Sequence, residues 1–384
     1  MRICTMLDYE TLRLLWWALL GVLLIGFAVM DGFDLGVAAL LPVVGRSDMD
    51  RRVMINTVGP VWEGNQVWLI LGGGAVFAAW PALYATAFSG FYIAMFLVLC
   101  ALILRPVGFK FRSKLEGAAW RRAWDTALII GGVVPAVVFG VAFGNVLQGV
   151  PFHFDADLRV TYTGGFLGLL NPFALLCGLV SLAMVIMHGA VYLAVKTDGQ
   201  VAARARGVVP WAVLAMLVLF SLAGAWIALG IDGYAVTSAV VADGPSNPLM
   251  KTVERAPGTW LENYRRLPLS LIVPALAYVG ALATWGLIRA ERVGLAFITS
   301  SLAVAGVVGT AGVSAFPFLL PSSSDPASSL TVWDASSSHT TLQIMLVATL
   351  VFMPLILAYT AWVFRVLRGP VRAQDITNDG GAFY

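Results

Sequence analysis

Nine stretches of about 20 predominantly apolar residues run through this chain, and they constrain its fold more than any other feature of the sequence. A helix needs about 20 such residues to cross roughly 30 Å of hydrocarbon. Of the 384 residues, 59% are hydrophobic and only 12% are charged, whereas ordinary globular domains carry about 25% charged residues. We therefore predict an all-α, polytopic membrane protein with about nine transmembrane helices.

The predicted spans form a single transmembrane domain over residues 1–384. In chain order they are 11–42, 58–79, 82–106, 123–147, 166–195, 208–230, 268–288, 293–320 and 341–367. This number of spans is compatible with two four-helix bundles plus one peripheral helix.

The basic residues predict the orientation of the chain. Most of the 24 lysines and arginines lie in one set of alternate loops and at the C-terminus, for example Arg46, Arg121 and Arg204. Because short cytoplasmic loops carry an excess of these residues, we predict that the N-terminus is outside and the C-terminus cytoplasmic. The net charge of +3, without a basic stripe, does not favour a nucleic-acid partner.

Four ionisable residues interrupt the apolar spans at one depth. Asp31 and Asp34 fall near the predicted cytoplasmic end of the first span, Glu63 begins the second, and Arg105 lies near the inner end of the third. A charged side chain in hydrocarbon costs about 2.5–3.5 kcal/mol on insertion scales, so it persists where it is paired, hydrated or used for ion movement. We therefore predict that the chain pairs, hydrates or transfers charge inside the bilayer.

Two interpretations of these residues remain open. In the first, Arg105 neutralises one carboxylate and the cluster is structural; for Asp34 this interpretation and the functional one are equally favoured. In the second, the cluster is a cytoplasmic proton pathway through Glu63, Asp31 and Asp34, with Arg105 as the charge-pairing residue. Three acids share one nearby base, which makes an unpaired acid the better candidate for proton transfer, and Glu63 the leading one.

The histidines do not favour cofactor ligation by this chain. Haem iron is commonly held by histidine, and electron-transfer haems usually need two axial ligands from facing helices. Among His153, His188 and His339, only His188 lies within a predicted span. We expect neither a haem nor a metal ion to be ligated by this chain.

Long blocks of the sequence resemble subunit II, the smaller, non-haem subunit, of cytochrome bd-type ubiquinol oxidases. Among them are Asp31-Gly-Phe-Asp34 with its flanking residues and Trp62-Glu-Gly-Asn-Gln-Val-Trp68. The matching blocks lie at 6–10, 26–36, 51–56, 62–68, 87–92, 105–109, 144–152, 230–234, 315–318 and 333–336. Residues 1–5 precede the usual start of the family, so Met6 is an alternative initiator to Met1.

The resemblance implies a complex in the bacterial cytoplasmic (inner) membrane that couples quinol oxidation to the reduction of oxygen to water. Its partners would be a haem-bearing subunit I, which holds the b and d haems, a small single-helix subunit in some members, and membrane lipids. Some members also hold a structural quinone in subunit II, whose binding residues the sequence does not indicate. The family places a membrane-embedded acid on a proton route, and Glu63 matches that position.

The main alternative is an ion or proton-coupled membrane transporter, which would also explain acids within apolar helices. A transporter would favour a site at the bilayer midplane between inverted repeats, whereas these acids gather near one end of their spans. From the oxidase interpretation we expect Glu63→Gln to slow oxygen reduction and Asp34→Asn to act mainly through assembly.

Overall fold

The computed structural model describes residues 7–378 of the chain. Cys4 and the alternative initiator Met6 lie outside the described residues. Thirteen α-helices account for most of the described part, and three short antiparallel hairpins join them at one end.

The helices follow one another with short connections. They are α1 (Tyr9–Val44), α2 (Asp48–Val58), α3 (Trp62–Ala79), α4 (Pro81–Gly90), α5 (Tyr92–Phe111), α6 (Ala118–Gln148), α7 (Pro172–Lys196), α8 (Gly199–Gly230), α9 (Glu262–Arg266), α10 (Ile272–Arg289), α11 (Val293–Ala315), α12 (His339–Val366) and α13 (Ala373–Asn378). Eight of the helices in the described range are long and apolar enough to cross a membrane, counting α10 with the turn before it. Helix α3 has 18 residues and is not among these eight, because Glu63, Asn65 and Gln66 lower its hydropathy.

Polar caps fix several of the helix starts. The Asp8 carboxylate accepts a hydrogen bond from the Thr11 backbone N–H at 2.6 Å, and Ser47 and Asp50 form a reciprocal capping box at the start of α2. Asn171 caps α7 by accepting from the Ala174 N–H at 2.9 Å. These bonds satisfy backbone donors that have no partner within the helix.

Four predicted spans need correction. The span 82–106 is two helices, because the chain turns at Phe91 between α4 and α5. The span 166–195 begins as a 3-10 turn, and its α-helix starts only at Pro172, a residue that suits the first helical position. The span 293–320 ends at Ala315, before Pro317 and a strand, and the span 208–230 extends back to Gly199.

Helix α1 lies at the centre of the packing. It contacts α3, α6, α7 and α11, while α7, α8, α10 and α11 contact one another in a ring. Gly36 and Gly189 allow α1 and α7 to cross closely: a Cβ added at Gly36 would lie 2.0 Å from the Val185 carbonyl oxygen. Helix α12 contacts α1 and α3 but leaves most of its apolar surface exposed.

The loops at the predicted outer side are partly ordered by β-hairpins. The strands are β1 (Phe152–Phe154), β2 (Val160–Tyr162), β3 (Asp232–Val236), β4 (Val253–Pro257), β5 (Phe318–Leu320) and β6 (Leu330–Thr331). Each odd-numbered strand pairs antiparallel with the next one. The fully buried Arg13 holds two of these loops over the start of α1, since its guanidinium donates to the Ala242 carbonyl at 2.5 Å and to the Ser336 hydroxyl at 2.7 Å.

Candidate functional site

The two aspartates of α1 lie in the most buried part of that helix. Every residue from Asp31 to Ala38 is buried, because α3, α6 and α7 surround this section. The spacing of three residues puts both carboxylates on one face of the helix. They point into the protein, and α5 supplies the base that meets them.

Asp31 and Arg105 form a fully buried, bidentate ion pair. The Arg105 Nη1 donates to Asp31 Oδ2 at 3.0 Å, and Nη2 donates to Oδ1 at 2.7 Å. Both side chains are at most 1% exposed. Two parallel N–H···O bonds match the planar guanidinium to the carboxylate, so Asp31 is the main partner of Arg105.

Asp34 has a weaker set of partners. Its Oδ2 accepts a hydrogen bond from Asn65 Nδ2 at 2.9 Å and lies 3.6 Å from Arg105 Nη2. Its Oδ1 is buried and has no hydrogen-bond partner among the described residues. Asn65 was not among the predicted site residues, although a residue two positions after Glu63 in a helix points to the opposite side from Glu63.

Glu63 does not join the cluster. It lies in the first turn of α3 and is exposed, and no hydrogen bond or ion pair to it is found within residues 7–378. The structure therefore brings Asp31, Asp34 and Arg105 together, and it places Glu63 on the surface of the chain instead. The sequence predicts one depth along the helices for all four groups. Depth alone does not determine which side of α3 faces the cluster.

A second group of charges lies in α2 and in the adjoining end regions of α5 and α6, at the predicted cytoplasmic side. The Arg112 guanidinium donates to Asp125 and, at 2.9 Å, to Asp48, while Arg51 donates to Asp125 at 2.6 Å. Burial opposes the charge of Arg112, but its hydrogen bonds to Asp125 and the nearby carboxylates outweigh that effect and raise its pKa. This network ties α2 to the ends of α5 and α6, and sequence reasoning missed it because loop charges are usually solvated.

The carboxylate of Asp50 fastens α2 to α8 in the same region. Arg204 donates to it at 2.8 Å. Burial alone would raise the pKa of Asp50. The hydrogen bonds from Arg204 and Ser47 lower this pKa by more than burial raises it, so it lies below the ordinary aspartate value.

His188 connects three helices. Its Nε2 donates to the Val29 carbonyl of α1 at 3.0 Å, its Nδ1 lies 2.8 Å from the Ser300 hydroxyl of α11, and its ring stacks on Phe297. The side chain is fully buried on α7. Within residues 7–378 no group of three or more His, Cys, Asp or Glu residues is placed to hold a metal ion.

A large apolar cavity is lined mainly by residues of α1, α6, α7, α8, α10 and α11. It has a volume of about 380 Å³, within the range of small-molecule pockets. Apolar side chains such as Phe27, Phe139 and Val307 line most of it, while Tyr264 and Ser314 supply polar groups. The Tyr264 hydroxyl lies 3.1 Å from that of Ser314.

The fold and the site define a class: a polytopic, all-α membrane protein with a buried acid–base cluster between its helices. The family model for cytochrome bd terminal oxidase subunit II matches residues 12–367. The chain belongs to this family, which confirms the resemblance found in the sequence.

Three relatives span nearly the whole chain. A Haemophilus influenzae protein named probable cytochrome oxidase subunit 2 is 52% identical over 99% of this chain and 100% of its own length. The cytochrome bd-I ubiquinol oxidase subunit 2 of Escherichia coli strain K12 is 51% identical over the same shares. The cytochrome bd ubiquinol oxidase subunit 2 of Bacillus subtilis is 32% identical over 94% of this chain and 97% of that protein.

The fold also matches a solved structure. A chain from the structure of bd oxidase from Geobacillus thermodenitrificans superposes with a TM-score of 0.68, covering 93% of this chain and 98% of that chain at 17% identity. This match shows a shared fold. Together with the family, it identifies the chain as a multi-pass membrane subunit of an oxidoreductase complex, whose partner is a subunit I that carries the haems. The transporter alternative has no support from these comparisons.

Proposed function

We propose that this chain is the non-haem subunit of a quinol:oxygen oxidoreductase in the bacterial cytoplasmic membrane. In the complex it supports the haem-bearing subunit I, which oxidises quinol and reduces oxygen to water. It also delivers protons from the cytoplasm toward the oxygen-reducing site. A small single-helix subunit and membrane lipids would complete its surroundings.

The observation that best supports proton delivery by this chain is the exposed position of Glu63. Apolar side chains farther along α3 face outward, with Ile70 70% and Phe77 61% exposed, and Ile103 of α5 is 64% exposed. A carboxylate next to such a surface would face hydrocarbon in the isolated chain, at a cost of about 2.5–3.5 kcal/mol at the bilayer centre. Contact with subunit I through polar groups or water that pair with the carboxylate would offset that cost and would put Glu63 at the interface between the subunits.

The first turn of α3 then connects the interface with the buried cluster. Glu63 faces outward and Asn65, two residues later, faces Asp34. In the proposed pathway Glu63, Asp34 and Asp31 lie along the proton route, and Arg105 compensates their charge. The chain contributes no catalytic residue to oxygen reduction itself.

A quinone is the proposed ligand of the apolar cavity. Its apolar lining suits an isoprenoid tail, and Tyr264 and Ser314 offer hydroxyl groups that could hydrogen-bond to a quinone carbonyl. When bound, the quinone would have a structural role between the helices that line the cavity. The assignment is tested by extracting quinone from the purified complex and measuring its amount by chromatography. The quinone content of wild type is compared with that of Phe139→Trp, whose larger side chain would fill the cavity.

The proposed function is tested by purifying the complex through a tag on this chain. Haem d absorption bands should co-purify with it, and their absence would contradict the proposed partner. Oxygen uptake with quinol as the donor should fall in Glu63→Gln and persist in Glu63→Asp, which keeps the acid. Glu116→Gln is the matched control, because Glu116 is an exposed glutamate in a loop on the same predicted side. Equal oxygen uptake in Glu63→Gln and Glu116→Gln, with full haem content, would remove Glu63 from the pathway.

A further inference from the structure

The buried cluster contains two acids and one base. Asp31, Asp34 and Arg105 are each 0% exposed. No other lysine or arginine nitrogen within residues 7–378 lies within 4.0 Å of either carboxylate. If both acids were ionised, the cluster would hold one uncompensated negative charge in a site without solvent.

The neighbouring helices supply no second positive charge. From α7, Tyr192 stacks on Phe33 and donates its hydroxyl proton to the Thr57 carbonyl at 2.8 Å. His188 already donates to a backbone carbonyl of α1. On α6 the residue that faces Arg105 is Gly131, whereas Asp125 is paired with Arg51 and Arg112. Helix α3 contributes the neutral amide of Asn65.

The hydrogen bonds distinguish the two acids. Both oxygens of Asp31 accept from the guanidinium, which is the arrangement of an ionised carboxylate. Asp34 receives one bond from a neutral amide, and its Oδ1 receives none. An ionised carboxylate offers about four acceptor sites, and leaving them empty in a buried site costs far more than leaving a neutral acid partly unpaired.

We infer that Asp34 holds a proton in the resting protein while Asp31 stays ionised against Arg105, and that Asn65 is the positioning residue that orients the Asp34 carboxyl group. The proton resides on Oδ1, the oxygen to which Asn65 does not donate. The buried cluster is then electrically neutral. Asp31 with Arg105 is a fixed ion pair, and Asp34 with Asn65 is the unit that can exchange a proton.

This assignment deepens the proposed proton pathway and rests on it only for the use of the proton during turnover. In that pathway Asp34 would pass its Oδ1 proton on toward the oxygen-reducing site of the complex and would be reprotonated from Glu63. The anion formed in between would lie 3.6 Å from Arg105 Nη2. Arg105 is therefore close enough to stabilise the deprotonated state without forming the bidentate pair that it makes with Asp31.

Infrared difference spectroscopy of the purified, haem-loaded complex tests the inference directly. A protonated carboxyl group has a carbonyl stretch above the amide I region that shifts in D₂O. The spectrum of wild type minus Asp34→Asn should contain such a band. Asn65→Leu should move the same band to higher frequency, because the hydrogen bond from the amide is lost, and Gln66→Leu should leave it in place.

The variant Asp31→Asn distinguishes the inferred proton on Asp34 from a purely structural role of Asp34. Without Asp31, Asp34 should ionise and pair with Arg105, so the band assigned to Asp34 should disappear although Asp34 is still present. Absence of the band from wild type, or an unshifted band in Asn65→Leu, would overturn the inference. If the band behaves as expected but oxygen uptake is normal in both Asp34→Asn and Glu63→Gln, the proton assignment stands and the proposed pathway fails.

Discussion

The charge balance of the buried cluster predicts that substitutions of its two aspartates are not additive. Asp34→Asn replaces a neutral acid by a neutral amide of similar shape, so we expect a loss of stability of about 0.5–1 kcal/mol. Asp31→Asn removes the bidentate partner of Arg105, but Asp34 lies only 3.6 Å away and can take over the pairing. We expect a cost of about 1–2 kcal/mol for this variant.

The double variant Asp31→Asn/Asp34→Asn leaves Arg105 without a carboxylate. Because its guanidinium is fully buried, the cost should approach the roughly 3–5 kcal/mol seen when one partner of a buried ion pair is removed. The coupling between the two substitutions is then on the order of 1–3 kcal/mol. That Asp34→Asn acts mainly through assembly stays a prediction. Because Asp31 makes the bidentate bond to Arg105, we expect Asp31→Asn to impair assembly more.

The assay is the thermal stability of the assembled complex in detergent, followed by the absorbance of the partner's haems. Each 1.4 kcal/mol corresponds to about a tenfold change in an equilibrium constant. The coupling should therefore shift the equilibrium of the double variant away from the assembled complex by about 5- to 150-fold more than the two single effects predict together. Additive losses would refute this account of the cluster. So would an Asp34→Asn variant that is less stable than Asp31→Asn.

Two further predictions concern helix packing and the ion pair between α2 and α8. Gly189→Ala should destabilise the complex by about 1–3 kcal/mol, because the added Cβ would lie 2.7 Å from the Gly36 Cα. The control Gly207→Ala, within α8, meets no atom within 4 Å and should be as stable as wild type or up to about 1 kcal/mol more stable in the same thermal assay. Asp50 has a lowered pKa in the folded protein, so its contribution to stability is present above the ordinary aspartate pKa of about 3.9 and is lost as the pH falls through the lower folded value. Acid titration of the thermal stability should therefore show a smaller loss below about pH 4 in Asp50→Asn than in wild type, and equal losses would show that the bond from Arg204 adds no stability.

The general fold could be predicted from the sequence because the bilayer limits the choices. An apolar run of about 20 residues has to form a helix to satisfy its backbone groups in hydrocarbon, and the polytopic, all-α prediction is confirmed. Hydropathy does not mark a turn that stays within apolar residues. The break at Phe91 and the helix end at Ala315 were missed for this reason.

The sequence predicts how deep the site residues lie along their helices, but not which side of each helix faces its neighbours. Alternating helix directions bring Asp31, Asp34 and Arg105 to the same level, and the structure places them in contact. Which side of α3 faces α1 depends on packing, so the sequence did not reveal that Asn65 faces inward and Glu63 outward. The roles of these residues in proton transfer stay predictions.

The most direct test of the account is the rate of proton uptake when the reduced complex is mixed with oxygen. If Glu63 is the route from the cytoplasm, Glu63→Gln should slow proton uptake by on the order of 10²-fold, the typical contribution of a positioned acid or base. Glu63→Asp and Glu116→Gln should stay close to wild type. Proton uptake at the wild-type rate in Glu63→Gln, with a full complement of haem, would contradict the account.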